Sequence, residues 1–138
     1  MKARSTVVLL VLAVLLTVML VSCELAPVSI AQRIQYFQAS LNGDRTKAYK
    51  NLHPDSSAYT VVGATTDLWD LKFPTADIPY TISNLPADPN ADPANVTAII
   101  TGSAFNVPAK FVVQLYMTND WRIWDIQLDE GSGYRSIL

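Results

Sequence analysis

His53 is the single histidine of the 138-residue chain, and Asp55 stands two positions beyond it. A histidine beside a carboxylate is a general acid/base pair in outline, because the carboxylate orients the ring and balances its charge. The same position, just after an expected helix, equally suits an imidazole set against a helix C-terminus. Asp67 and Asp70 lie three apart, as carboxylates on one helix face do, with no nearby His or Cys to complete a metal set. They read as a helix cap and a solvated residue, and no metal or other cofactor is expected. Serine-nucleophile elbows, phosphate loops and zinc spacings are absent from the sequence. Aromatic side chains are better represented. Tyr36, Phe37, Trp69, Tyr80, Tyr116 and Trp124 could line a cavity for a small apolar ligand, or could simply fill a core.

Cys23 is the remaining candidate, and its chemistry is set by what precedes it. Lys2 and Arg4 make a short basic start, and residues 5–22 then run without a charge. This is the layout of an export signal, although the run is also nearly long enough to span a bilayer as a retained anchor. Leu20-Val21-Ser22-Cys23 resembles the lipobox of bacterial lipoproteins. That resemblance implies cleavage between Ser22 and Cys23 and acylation of the Cys23 thiol. With one cysteine in the chain, no intramolecular disulfide competes for that thiol. Two or three acyl chains, at roughly 0.8 kcal/mol per buried CH₂, would hold such a protein on its membrane permanently.

Removing residues 1–22, with Lys2 and Arg4, takes the formal charge from −2 to −4. The remaining lysines and arginines are scattered, so the clustered basic surface of a nucleic-acid binder is missing. The length allows one domain.

The elements that would position the candidates divide in two. In 29–42, Ile30, Ile34, Phe37 and Leu41 make one helical stripe, with Ser29 as N-cap, Gln32 as its capping-box partner and Gly43 as a left-handed stop. Asp44 caps a second helix over 45–52 that turns Ala48 and Leu52 inward and ends before Pro54. A short strand is expected over 59–62, and a third helix over 66–73 capped by Thr66 or Asp67. Strands then follow over 78–84, 96–104, 110–118 and 121–128. Pro86, Pro89 and Pro93 mark 85–95 as an exposed loop, and Asn119-Asp120 reads as a two-residue turn. Phe111, Val113, Leu115 and Met117 share one strand face, opposite Val112, Gln114, Tyr116 and Thr118.

Helices first and antiparallel strands after them predict an α+β fold, with the long helix covering a curved sheet of four to five strands. Ser40-Leu41-Asn42-Gly43-Asp44, followed by Ala48, Leu52, Pro54 and Asp55, resembles the opening of nuclear transport factor 2-like domains. Asn119-Asp120-Trp121, leading into Ile123 and Ile126, is similar to their closing strands. The resemblance implies a cone whose interior either binds an apolar ligand or is plugged by side chains, and a face through which members dimerise. It also implies, in the family's isomerases, an acidic base and a hydrogen-bonding Tyr. Tyr36 matches the region of that Tyr, and no Asp matches the base. The expected organisation is therefore a signal over 1–22, a lipidated tether over 23–28, an α+β domain over 29–130 and a tail over 131–138. The expected activity is non-catalytic binding of an envelope component or small apolar ligand, facing the periplasm or cell exterior. An isomerase, dehydratase or hydrolase in the cone, and a structural oligomer, are its rivals.

Overall fold

The computed structural model describes residues 27–63 and 65–137, so the expected signal over 1–22 and Cys23 lie outside the described residues. Helix α1 (Ile30–Asn42) starts as the capping box predicts: the Ser29 hydroxyl accepts the Gln32 amide N–H, and the Gln32 side chain accepts the Ser29 N–H. Its stripe of Ile30, Ile34, Phe37 and Leu41 is buried, and so is Arg33. At the other end Gly43 has φ −120°, which is not the left-handed stop expected of it. Its N–H instead completes the last i→i−4 bond of the helix, to Ala39 O at 3.0 Å.

A 3₁₀ segment (Arg45–Asn51), with Asp44 accepting from Thr46 N–H, replaces the second α-helix and buries Ala48; Leu52, at its end, is also buried. Residues 59–62 do not form a strand. They belong to helix α2 (Ser57–Val62), whose N-cap Ser56 accepts the Tyr59 N–H. One capped turn with Ala58 and Val62 on its inner side overrides the β-propensity of the Tyr-Thr-Val-Val run. Helix α3 (Asp67–Lys72) follows, with no side-chain cap bond from Thr66.

Five antiparallel strands form a sequential meander: β1 (Thr81–Ser83), β2 (Val96–Thr101), β3 (Asn106–Met117), β4 (Asp120–Asp129) and β5 (Tyr134–Ser136). The chain is thus α+β. β1 is shorter than its 78–84 expectation because residues 78–80 are tied down elsewhere. The Asn42 side chain exchanges two hydrogen bonds with the Tyr80 backbone, at 2.6 and 2.7 Å, while Gln38 accepts the Ile82 N–H at 2.6 Å. These side chains of α1 cover what would otherwise be a bare sheet edge. Residues 134–136, expected as tail, pair with 127–129 and close the other edge. The 85–95 loop holds only a 3₁₀ turn, Pro89–Ala91.

α1 packs against β4 and β1. Between helix and sheet lies the core, built around Phe37. Its ring meets Trp69, Phe73 and Phe111 edge-on at centroid distances of 5.4, 6.2 and 6.2 Å. Tyr80 joins through Phe73 at 5.7 Å.

The hairpin of β3 and β4 reaches beyond its neighbours. β2 pairs with β3 only as far as Phe111, so residues 112–117 have β4 alone as a strand partner. Register shifts at Val112/Val113 and Leu115/Met117 bend this extension. The turn is Thr118-Asn119, one residue earlier than expected, with Asn119 at φ 64° in the left-handed region that Asn tolerates.

Candidate functional site

The six aromatic candidates do not line one cavity. Phe37, Trp69 and Tyr80 are fully buried in the ring cluster just described. The Tyr80 hydroxyl donates to Pro74 O at 2.8 Å, and burial, followed by the nearby Asp77 carboxylate, raises its pKa above the ordinary tyrosine value. Tyr36 lies on the outside of α1, half exposed, with the Arg33 guanidinium 5.7 Å from its ring centre. Tyr116 and Trp124 flank His53, at centroid distances of 5.5 and 5.0 Å.

The acid/base candidates are dispersed in the same way. His53 is buried at a chain corner: its N–H donates to Ile123 O at 2.7 Å, and its carbonyl accepts from both the N–H and the hydroxyl of Ser56. Asp55 approaches the imidazole with its backbone N–H, which donates to Nδ1 at 3.2 Å, rather than with its carboxylate. Asp70 is not merely solvated, since its Oδ1 accepts from the buried Arg45 guanidinium at 2.9 Å. Asp67 is exposed at the start of α3. Among the described residues, no hydrogen bond joins any two of the side chains of Tyr36, His53, Asp55, Asp67 and Asp70. No group of three or more His, Cys, Asp and Glu is placed to hold a metal ion, again among the described residues.

A different constellation is assembled at the tip of the β3–β4 hairpin. Arg33, facing inward from α1, donates through Nε to Trp121 O at 2.8 Å, through Nη1 to Asn51 at 3.2 Å and through Nη2 to Asp120 at 2.7 Å. Arg122 takes the other Asp120 oxygen at 2.9 Å and also donates to the Lys50 carbonyl. One carboxylate is therefore clamped by two guanidiniums, leaving surplus positive charge. Burial, and next the charge of Arg122, lower the Arg33 pKa, yet a guanidinium stays cationic throughout the useful pH range. Arg122 also stacks over Tyr116, 5.5 Å from its ring centre.

The incoming chain is sewn to this tip. Val28 N–H donates to Asn119 O at 2.8 Å, and Trp121 N–H returns to Val28 O at 3.2 Å. Two clefts flank that pairing. One, of about 210 Å³, is lined by Val28, Arg33, Met117, Asn119, Asp120 and Arg122. The other, about 520 Å³ and more open, includes Pro27, Ser29, Gln32, Asn90 and Trp121. Beside them Leu115 and Met117, expected to share one strand face with Phe111 and Val113, are 52% and 55% exposed, and Tyr116 is 39% exposed. Such a surface can bind apolar groups and anionic oxygens, but fixed guanidiniums do not shuttle protons.

Sequence reasoning missed Arg33, Asp120 and Arg122 as a unit. One signal was present: Arg33 stands three residues after Ile30, on the apolar stripe itself, where an arginine must find a carboxylate elsewhere in the chain. Comparison with protein-family models, with curated proteins and with solved structures returns no match to this chain.

Proposed function

We propose that this chain is a bacterial envelope lipoprotein, anchored through acylated Cys23, whose domain is a non-catalytic binding module that works from its surface and not from an interior pocket. The observation that carries the second half is the state of the core. Phe37, Trp69 and Tyr80, the residues best suited to line a cone, are wholly buried and packed ring against ring with Phe73 and Phe111. A guest would have to displace those contacts, each aromatic pair contributing about 0.5–1.5 kcal/mol beyond area burial. The scattering of His53, Asp55, Asp67 and Asp70 argues against acid/base catalysis in the same space. The anchor rests on the charge-free run that ends at Leu20-Val21-Ser22-Cys23.

The helix-then-meander order and the α1 capping box suit a nuclear transport factor 2-like domain of the plugged kind. Dimerisation through the outer sheet face has less to favour it. Thr97, Lys110 and Gln127 form one polar cross-strand row there, beside Asp125, which accepts from Gln127 and Ser136. Native mass spectrometry of the detergent-released protein tests the reading. The mature chain is expected without a stoichiometric apolar guest in its core. A tightly held guest whose removal changes the fluorescence of Trp69 would return function to the interior.

A further inference from the structure

We infer that the tip of the β3–β4 hairpin is a membrane-seating surface, by which the domain lies on the bilayer that holds its own anchor. The inference rests on the lipoprotein reading above and adds the surface and the partner: phospholipid, its headgroup phosphates and the upper acyl region.

The first argument is length. Cys23 and Pro27 are four residues apart, and a fully extended chain advances about 3.5 Å per residue, so the folded domain begins within about 14 Å of the acylated sulfur. The second is direction. The residue after Pro27, Val28, is hydrogen-bonded to Asn119 and Trp121, so the part of the domain brought to the membrane is the hairpin tip. The third is what the tip presents. Leu115, Tyr116 and Met117 are uncovered on the one stretch of β3 that has outrun β2. Contact links Tyr116 to Arg122, and Arg122 through Asp120 to Arg33, where two guanidiniums face one carboxylate. The domain as a whole is acidic, so an anionic bilayer would repel most of its surface. Here exposed apolar side chains adjoin the part-exposed Arg122 and the net positive charge of its clamp with Asp120 and Arg33, which is the composition that partitions into the boundary between headgroups and acyl chains.

The test uses the full chain, expressed in a bacterial host, acylated and reconstituted in phosphatidylethanolamine–phosphatidylglycerol vesicles. A nitroxide label is placed through Met117→Cys or, at the opposite end of β4, through Ser132→Cys. An acylated Cys23 takes no label, so one label per chain reports an intact anchor. At 117, relaxation by lipid-soluble oxygen is expected to be several-fold higher than at 132, and relaxation by an aqueous nickel chelate several-fold lower. Leu115→Asp should move the 117 label towards the values at 132. Equal water exposure at both sites with one label per chain would overturn the seating inference while leaving the anchor in place. Two labels per chain would overturn both. Dipolar coupling between 117 labels of two molecules would give the surface to a second copy and equally end the proposal.

Discussion

Apolar residues of the same strand meet opposite fates in this molecule. Phe111 and Val113 of β3 are buried in the core, while Leu115 and Met117, continuing the same alternation, stand in the open. Hydropathy does not separate the two pairs; neighbours do. Phe111 has β2 on one side, β4 on the other and Phe37 of α1 above it. Val113, already past the end of β2, is still flanked by the 85–95 loop, its N–H donating to Pro93 O at 2.8 Å. Leu115 and Met117 lie beyond both, where the second of two register shifts turns the hairpin away. An alternating pattern thus marks a face of a strand, and the reach of the neighbouring strands and loops decides how much of that face is covered. Uncovered apolar surface beside the incoming chain is a feature in search of a partner; buried apolar surface beneath a helix is stability.

That contrast can be broken by substitution. Phe37→Ala removes a ring that touches three others and should cost about 3–5 kcal/mol of unfolding free energy, the range for an aromatic truncated in a tight core. A urea midpoint barely changed would mean that the interior is loosely filled and an apolar guest plausible. Asp120→Ala leaves Arg33 largely buried without its carboxylate. About 2–3 kcal/mol of stability should be lost, somewhat less than the roughly 3–5 of a wholly buried pair, because Asp120 is about one-fifth exposed. The same change should speed hydrogen exchange at Val28 and Trp121, which the clamp holds at the tip.

Tyr80→Phe deletes the bond to Pro74 O and should cost about 1 kcal/mol near neutrality. Its pH dependence is more telling. The folded pKa is raised, so the contribution of the neutral phenol is complete below the ordinary tyrosine value near 10 and is lost as pH rises through the higher folded value. Alkaline denaturation should therefore be steeper in the parent protein than in the variant; parallel curves would show that Tyr80 ionises without penalty. The smallest effect belongs to Leu115→Ala with Met117→Ala, expected to shift stability by no more than about 0.5 kcal/mol. A loss of several kcal/mol there would place these side chains in the core and erase the distinction between the two regions.

Much of the frame could be read from residues alone. The spacing of Ile30, Ile34, Phe37 and Leu41 located α1 and its buried face, and Ser29 with Gln32 its first turn, because these signals are local. The strand regions and the proline-rich loop were legible for the same reason. Residues 59–62 misled because a tyrosine followed by three β-branched residues says nothing of the serine cap at Ser56 that commits the run to a helical turn. Residues 134–136 were passed over because three exposed residues have no pattern until β4 offers them an edge. The Arg33–Asp120–Arg122 clamp joins positions nearly ninety residues apart, and such pairings depend on strand register, which no local signal specifies.

The account depends most on what happens at Cys23. Intact-mass measurement of the protein extracted from bacterial membranes should give a chain that begins at Cys23 and carries the added mass of its acyl groups, with Cys23→Ser left uncleaved and unacylated. A parent product that retains Met1 and an unmodified thiol would contradict it.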